Sequence, residues 1–207
     1  MFTEQQEKWI MRTEELFLRY GIKGLTMDDV ARELGISKKT LYQFVENKDD
    51  LVMKVVELHI HRDISQCGAL LSQASNALDE MFNILEFVTA DLERVKTNVL
   101  HDMQRYHRDA WERMEQHQRG YILEANRQNL HRGISEGLYR SDLDVEITAR
   151  LHVAQSFALF DEQLFPRSLA PLDKIFRQYL TLFLYAIVSE KGLAMLRSKL
   201  AQLDTSH

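Results

Sequence analysis

The sequence predicts an all-α protein, on three observations. Only eight glycines and two prolines occur in 207 residues, and these are the residues that hairpins and tight loops consume. Apolar residues recur at helical spacing along most of the chain, and no run alternates with a period of two between turn residues. With 45% hydrophobic and 28% charged residues, the chain has enough apolar side chains for a core and is not disordered by composition.

Each element follows from local pattern. Trp9, Ile10, Thr13, Leu16, Phe17 and Tyr20 share one stripe, Arg12, Glu14, Glu15 and Arg19 lie outside it, and Gly21 supplies a stop, which predicts a helix over 9–20. Thr26 precedes an acidic first turn, Asp28 and Asp29, and a short second helix with Met27, Val30, Ala31 and Leu34 inward, ended by Gly35. Ser37 caps a third, with Leu41 and Phe44 inward, and Asn47 caps a fourth that runs through Leu51, Val55 and Leu58 to about 65. Longer helical patterns follow over 77–99, 100–109, 111–137, 144–165 and 171–191, with Pro166 and Pro171 marking one turn between the last two.

The second and third helices carry the specific information. In a frame that starts at Met27, Ala31 is small where two helices must approach, Gly35 permits a left-handed turn, and Leu41 fills the wedge with Val30, Leu34, Ile36 and Phe44. This is a helix-turn-helix. If Leu41 and Phe44 face inward, Lys39 and Gln43 point most directly outward, flanked by Lys38, Thr40 and Tyr42. Between Ser37 and Lys48 stand three lysines, Lys38, Lys39 and Lys48, against one glutamate, Glu46. Lysine reaches guanine O6 or N7 and glutamine pairs with adenine, so Lys39 and Gln43 are candidate base readers. Thr26, Ser37, Lys38, Thr40, Tyr42 and Lys48 suit phosphate oxygens, which position a protein on a duplex without reading its sequence.

The stretch LFLRYGIKGLTMDDVARELGISKKTLYQFVENKDDLV, residues 16–52, strongly resembles the DNA-binding region of the TetR family of bacterial transcriptional regulators, including Tyr42, Phe44 and Lys48. The resemblance covers about the first quarter of the chain. It implies a homodimer of all-helical subunits, each with a three-helix DNA-binding domain over 1–47 and a larger helical ligand-binding and dimerisation domain over 48–207, joined by the helix from 48 to about 65. It implies repression of a double-stranded DNA operator, relieved by a small-molecule inducer. The N-terminus, MFTEQQEK, has one lysine and two glutamates, so no basic arm for the minor groove is expected.

The helix after Pro171 is apolar on more than one stripe, and a helix of that kind is buried on two sides. One side then meets its own subunit and the other a partner, with Ile175, Tyr179, Leu182 and Phe183 at the contact and Ala154 and Ala158 of the preceding helix allowing close approach. Two copies would present their reading helices to a pseudo-palindromic operator with half-sites about one DNA turn apart. Met81, Phe82, Leu85, Met103, Tyr106, Trp111, Met114, Tyr121 and Phe157 are candidate linings of an apolar ligand cavity.

The net charge of −5 argues against coating nucleic acid or anionic lipid by bulk attraction, so contact with DNA must be local. Cys67 is the lone cysteine and cannot form an intramolecular disulfide, the start lacks a signal sequence, and the longest wholly apolar run, 182–188, is too short for a membrane span. A cytoplasmic location without membrane contact is expected. The eight histidines show no HxxxH spacing, and no paired acid and base, nucleophile elbow or phosphate loop stands out. Neither a metal, a cofactor nor an enzymatic activity is expected. Two rivals stand beside a ligand-released repressor: a ligand-independent or activating regulator of the same fold, and a helical interaction protein that does not bind DNA.

Overall fold

The structure, a computed structural model, describes residues 2–95, 99–166 and 168–205. Its helices are α1 (Glu4–Tyr20), α2 (Met27–Glu33), α3 (Lys38–Phe44), α4 (Lys48–Gln73), α5 (Ala77–Leu92), α6 (Val99–Tyr106), α7 (Arg108–His117), α8 (Leu123–Ser135), α9 (Val145–Ala158), α10 (Leu172–Ile187) and α11 (Glu190–Thr205), with a π-helical turn over Gln118–Ile122 ahead of α8. Among the described residues there is no strand, only an isolated antiparallel bridge between Tyr139 and Val188.

Several boundaries differ from the sequence expectation. The first helix starts at Glu4 because Thr3 and Gln6 form a reciprocal capping box ahead of the apolar stripe. The fourth runs past 65 to Gln73, straight through Gly68. The pattern over 77–99 ends at Leu92, and its residues 96–98, like Arg167 in the proline turn, lie outside the described residues. The long pattern over 111–137 is interrupted by the π-helical turn, and the one over 144–165 stops at Ala158. The pattern over 171–191 breaks at Val188, which is extended, because the Arg140 N–H donates to the Ile187 carbonyl and the Ser189 N–H to the Leu138 carbonyl, each at 2.9 Å. Ser189 then caps α11, a helix the sequence reading did not foresee, by accepting the Gly192 N–H at 3.1 Å.

The chain divides into two compact units, Met1–Gln66 with Arg94–His117, and Cys67–Glu93 with Gln118–His207. In the first, Ile10, Leu16 and Phe17 of α1, Val30 and Ala31 of α2, Leu41 of α3 and the apolar face of α4 share one core with Val99 and Met103 of α6 and Ala110 of α7. In the second, Leu78 and Leu85 of α5, Leu130 of α8, Leu180 and Leu184 of α10 and Leu196 of α11 are fully buried together.

A polar knot crosses the second core. Asn129 Nδ2 donates to the Ala77 carbonyl at 2.9 Å and to Glu80 at 2.5 Å. The Tyr139 hydroxyl lies 2.9 Å from Asn129 Oδ1 and 3.1 Å from the same carbonyl, and Arg132 closes the ring onto Glu80 and Glu136. The knot pins α8 to the start of α5 with each of these buried groups satisfied, the condition under which such a network stabilises. Gly133 makes room for it: a Cβ there would fall 2.0 Å from the Tyr139 ring. Tyr139→Phe strips a donor from the buried Asn129 carbonyl, so it is expected to cost about 1 to 3 kcal/mol, measured as a lower urea midpoint at unchanged m-value.

Candidate nucleic-acid interface

The candidate surface is built on a wedge. Val30, Ala31 and Leu41 are buried between α2 and α3, and Gly35 turns the chain at φ 67°, a backbone conformation that glycine adopts freely. The Ile36 N–H donates to the Ala31 carbonyl at 3.0 Å across that turn. Both short helices are capped. Thr26 Oγ1 accepts the Asp29 N–H at 3.2 Å and donates to Asp29 Oδ2 at 2.6 Å, while Ser37 Oγ accepts the Thr40 N–H at 3.0 Å. These bonds to Thr26, joined by Arg32, hold the Asp29 carboxyl down at about 2.

With Leu41 inward, Lys38, Lys39, Tyr42 and Gln43 are exposed along one side of α3, and Thr40 is half-buried. Phe44 meets Phe2 edge-on at 6.3 Å and Trp9 at 6.2 Å, so the N-terminal residues brace the end of α3. Lys39 makes no ion pair among the described residues. Lys38 does: its ammonium sits 2.7 Å from Asp28 Oδ1, and that carboxylate raises its proton affinity. Lys48 is held differently again. Its ammonium donates to the Leu25 carbonyl at 2.6 Å, and burial pulls its pKa down from the ordinary lysine range against the nearby carboxylates of Asp102 and Asp49. It ties the start of α4 to the turn before α2.

The same turn is gripped from the other side. The Lys23 N–H donates to Asp102 Oδ2 of α6 at 2.9 Å, and the Lys23 ammonium lies 5.3 Å from the exposed ring of Tyr106. His107, where α6 meets α7, places Nδ1 2.5 Å from Asp49 in the first turn of α4. None of these long-range partners has a sequence signature, because they join residues 58 to 83 apart.

A family profile described as bacterial regulatory proteins, tetR family, matches residues 10–55, the span from α1 to α4 that builds this surface. Over that span the chain is similar to the DNA-binding region of the tetR family. An HTH-type transcriptional regulator of Bacillus subtilis, YvaF, is 35% identical over 92 residues, 42% of this chain and 46% of that protein, so the chain spans about half the length of this relative. The HTH-type transcriptional repressor KstR2 of Rhodococcus jostii is 22% identical over 182 residues, covering 84% of this chain and 86% of that one. A TetR transcription regulator from Haloarcula marismortui has the same fold, with a TM-score of 0.74 at 18% identity over 91% of this chain and all of that one.

The candidate pocket residues are divided between the two units. Met103, Trp111 and Met114 pack in the core of the first unit, and Tyr106 is exposed. Met81, Phe82 and Leu85 lie in the core of the second, where Tyr121 is half-buried and Phe157 lies 6.1 Å from Phe160. Among the described residues, no group of three or more His, Cys, Asp or Glu side chains is placed to hold a metal ion, and no helix is long and apolar enough to cross a membrane. His117 lies 2.6 Å from the Asp63 carboxylate and His59 2.8 Å from that of Glu14.

Of the candidate dimer residues, Ala154, Ala158 and Leu182 are exposed, while Ile175, Tyr179 and Phe183 are half-buried against their own core. The sequence reading missed Ile147, Leu151 and Tyr185, which are exposed at 57%, 54% and 45%. Their signal was present: 147, 151, 154 and 158 fall on one face of α9 at helical spacing. Between α9 and α10, His152 is buried with Nδ1 2.7 Å from the Tyr179 hydroxyl and its ring 4.2 Å from that of Phe183. Burial drops the His152 pKa to about 4. Because the unfolded chain binds a proton near 6.5, stability is complete above that pH and is lost as the pH falls toward 4, by about 3 kcal/mol in total from this group. Urea unfolding at pH 7 and pH 4 is expected to show that loss, and His152→Gln to shrink the difference between the two.

Proposed function

We propose that the chain is a sequence-specific DNA-binding transcriptional regulator of the bacterial cytoplasm, a repressor released from a pseudo-palindromic operator by a small molecule. The observation that carries this reading is the set of four exposed polar side chains, Lys38, Lys39, Tyr42 and Gln43, presented by a capped seven-residue helix over a buried wedge. Lys39 and Gln43 read bases. Thr26, Ser37, Lys38, Thr40, Tyr42 and Lys48 serve the backbone, although Thr26, Lys38 and Lys48 must each share or exchange an internal partner to do so. Residues 1–47 form the DNA-binding part, and residues 48–207 bind the ligand and dimerise. No step of this function is catalytic.

Dimerisation is supported by exposed apolar side chains on α9 and α10, where Ile147, Leu151, Leu182 and Tyr185 are exposed along with the small Ala154 and Ala158. Apolar patches of this kind on a protein surface mark contact sites. The inducer occupies an apolar site lined from among Met81, Phe82, Leu85, Tyr121 and Phe157. It must favour the non-binding conformation by about 1 to 3 kcal/mol to act as a switch. The grip of α6 and α7 on Lys23 and Asp49 gives any movement of those helices a hold on both ends of the helix-turn-helix.

Selection of duplexes from a random pool is expected to enrich a palindrome. On that duplex Lys39→Ala and Gln43→Ala are each expected to lose about 1 to 3 kcal/mol of discrimination between bases, with little change on unrelated DNA. Unaltered base preference in both variants would contradict the assignment. Sedimentation is expected to show a dimer that Leu151→Glu with Leu182→Glu converts to a folded monomer, and a monomeric wild type would refute the dimer.

A further inference from the structure

Asp28 is out of place on a surface that meets phosphates. It stands in the first turn of α2 with its side chain 63% exposed, and its Oδ1 lies 2.7 Å from the ammonium of Lys38, itself 57% exposed. The neighbouring Asp29 is committed to the Thr26 cap and to Arg32, so its position is explained by helix capping. Asp28 makes no capping bond: the Thr26 cap is closed through the N–H and carboxylate of Asp29. Its partner, Lys38, is one of the cations that α3 turns outward.

We propose that Asp28 is a positioning residue for specificity: its carboxylate holds Lys38 in an internal ion pair and so weakens one phosphate contact with DNA of any sequence. The inference rests on the duplex-reading function proposed above and deepens it. An exposed lysine–carboxylate pair is weak, because water screens it and two long side chains must be ordered. Phosphate can therefore compete for Lys38, but only by exchanging one anion for another, and the carboxylate left behind repels the backbone. Each lysine that meets a phosphate unopposed releases condensed counterions and adds about 0.9 to the salt dependence of binding. This part of the affinity is blind to sequence. Suppressing it lowers the background on bulk DNA, while the base contacts of Lys39 and Gln43 are untouched, so discrimination rises by a device that acts against the wrong partner. In a protein with net charge −5, a few local cations supply the attraction, and neutralising one of them has a measurable share of the effect.

The test uses the full chain, a mixed-sequence duplex of about 30 base pairs and fluorescence anisotropy across a salt series. Asp28→Asn keeps the shape of the side chain and leaves the Thr26–Asp29 cap intact, and a thermal melt confirms folding, with Asp28→Ser as a second variant. The expected result is binding about three- to tenfold tighter at low salt, with a slope of log affinity against log salt steeper by about one. Adding Lys38→Ala to Asp28→Asn is expected to cancel most of the gain, leaving only the part that comes from removing the carboxylate's own repulsion. A merely structural role for Asp28 would not steepen the slope. If wild type binds the duplex and Asp28→Asn changes neither affinity nor slope, or if the full gain survives Lys38→Ala, the proposal is overturned while the duplex-reading function stands. If neither wild type nor Asp28→Asn binds at the lowest salt, both fall together.

Discussion

The contact of Leu41 with the α2 side of the wedge sets everything that α3 can do. Leu41 is 0% exposed and Ala31 4%, and a larger residue at 31 would push the helices apart. The turn between them is possible because Gly35 sits at φ 67°, where a side chain would be strained. Seven residues are too few for a stable isolated helix in water. The α3 helix therefore exists because Ser37 caps it and Leu41 anchors it, and that anchoring decides which residues look outward. Lys39 and Gln43 are exposed as a geometric consequence of burying Leu41.

Charge works on this surface at short range. The chain is acidic overall, and the lysines in and beside the helix-turn-helix are not equivalent: Lys39 makes no ion pair among the described residues, Lys38 is paired with Asp28, and the half-buried Lys48 braces the Leu25 carbonyl. A surface that keeps part of its positive charge engaged internally is suited to selective contact more than to strong indiscriminate attraction. The same economy appears in the second unit, where Glu80, Asn129, Arg132 and Tyr139 satisfy one another, and where His152 stays neutral against Tyr179.

What could be read from the chain alone follows from how local each signal is. The bounds of α2 and α3 were legible because Thr26, Ser37 and Gly35 act within three residues of themselves. The end of α10 was not, because Val188 is drawn into an extended conformation by residues 138–140, almost fifty positions away. Gly68 and the polar residues around it look like a helix end, yet α4 continues through them. The exposure of Lys39 and Gln43 followed from the helical wheel, but the partner of Lys38 required the angle between two helices. The scattered Met and aromatic residues could be recognised as apolar and no further, since which unit each joins is decided by tertiary packing.

The central claim is that the outward side of α3 lies on duplex DNA, and lysine acetylation read by mass spectrometry with and without a bound duplex addresses it directly. The account predicts that Lys38 and Lys39 are modified more slowly when DNA is bound, while Lys174, exposed on α10, reacts at the same rate in both. Unchanged reactivity of Lys38 and Lys39 in a sample that demonstrably binds the duplex would contradict it.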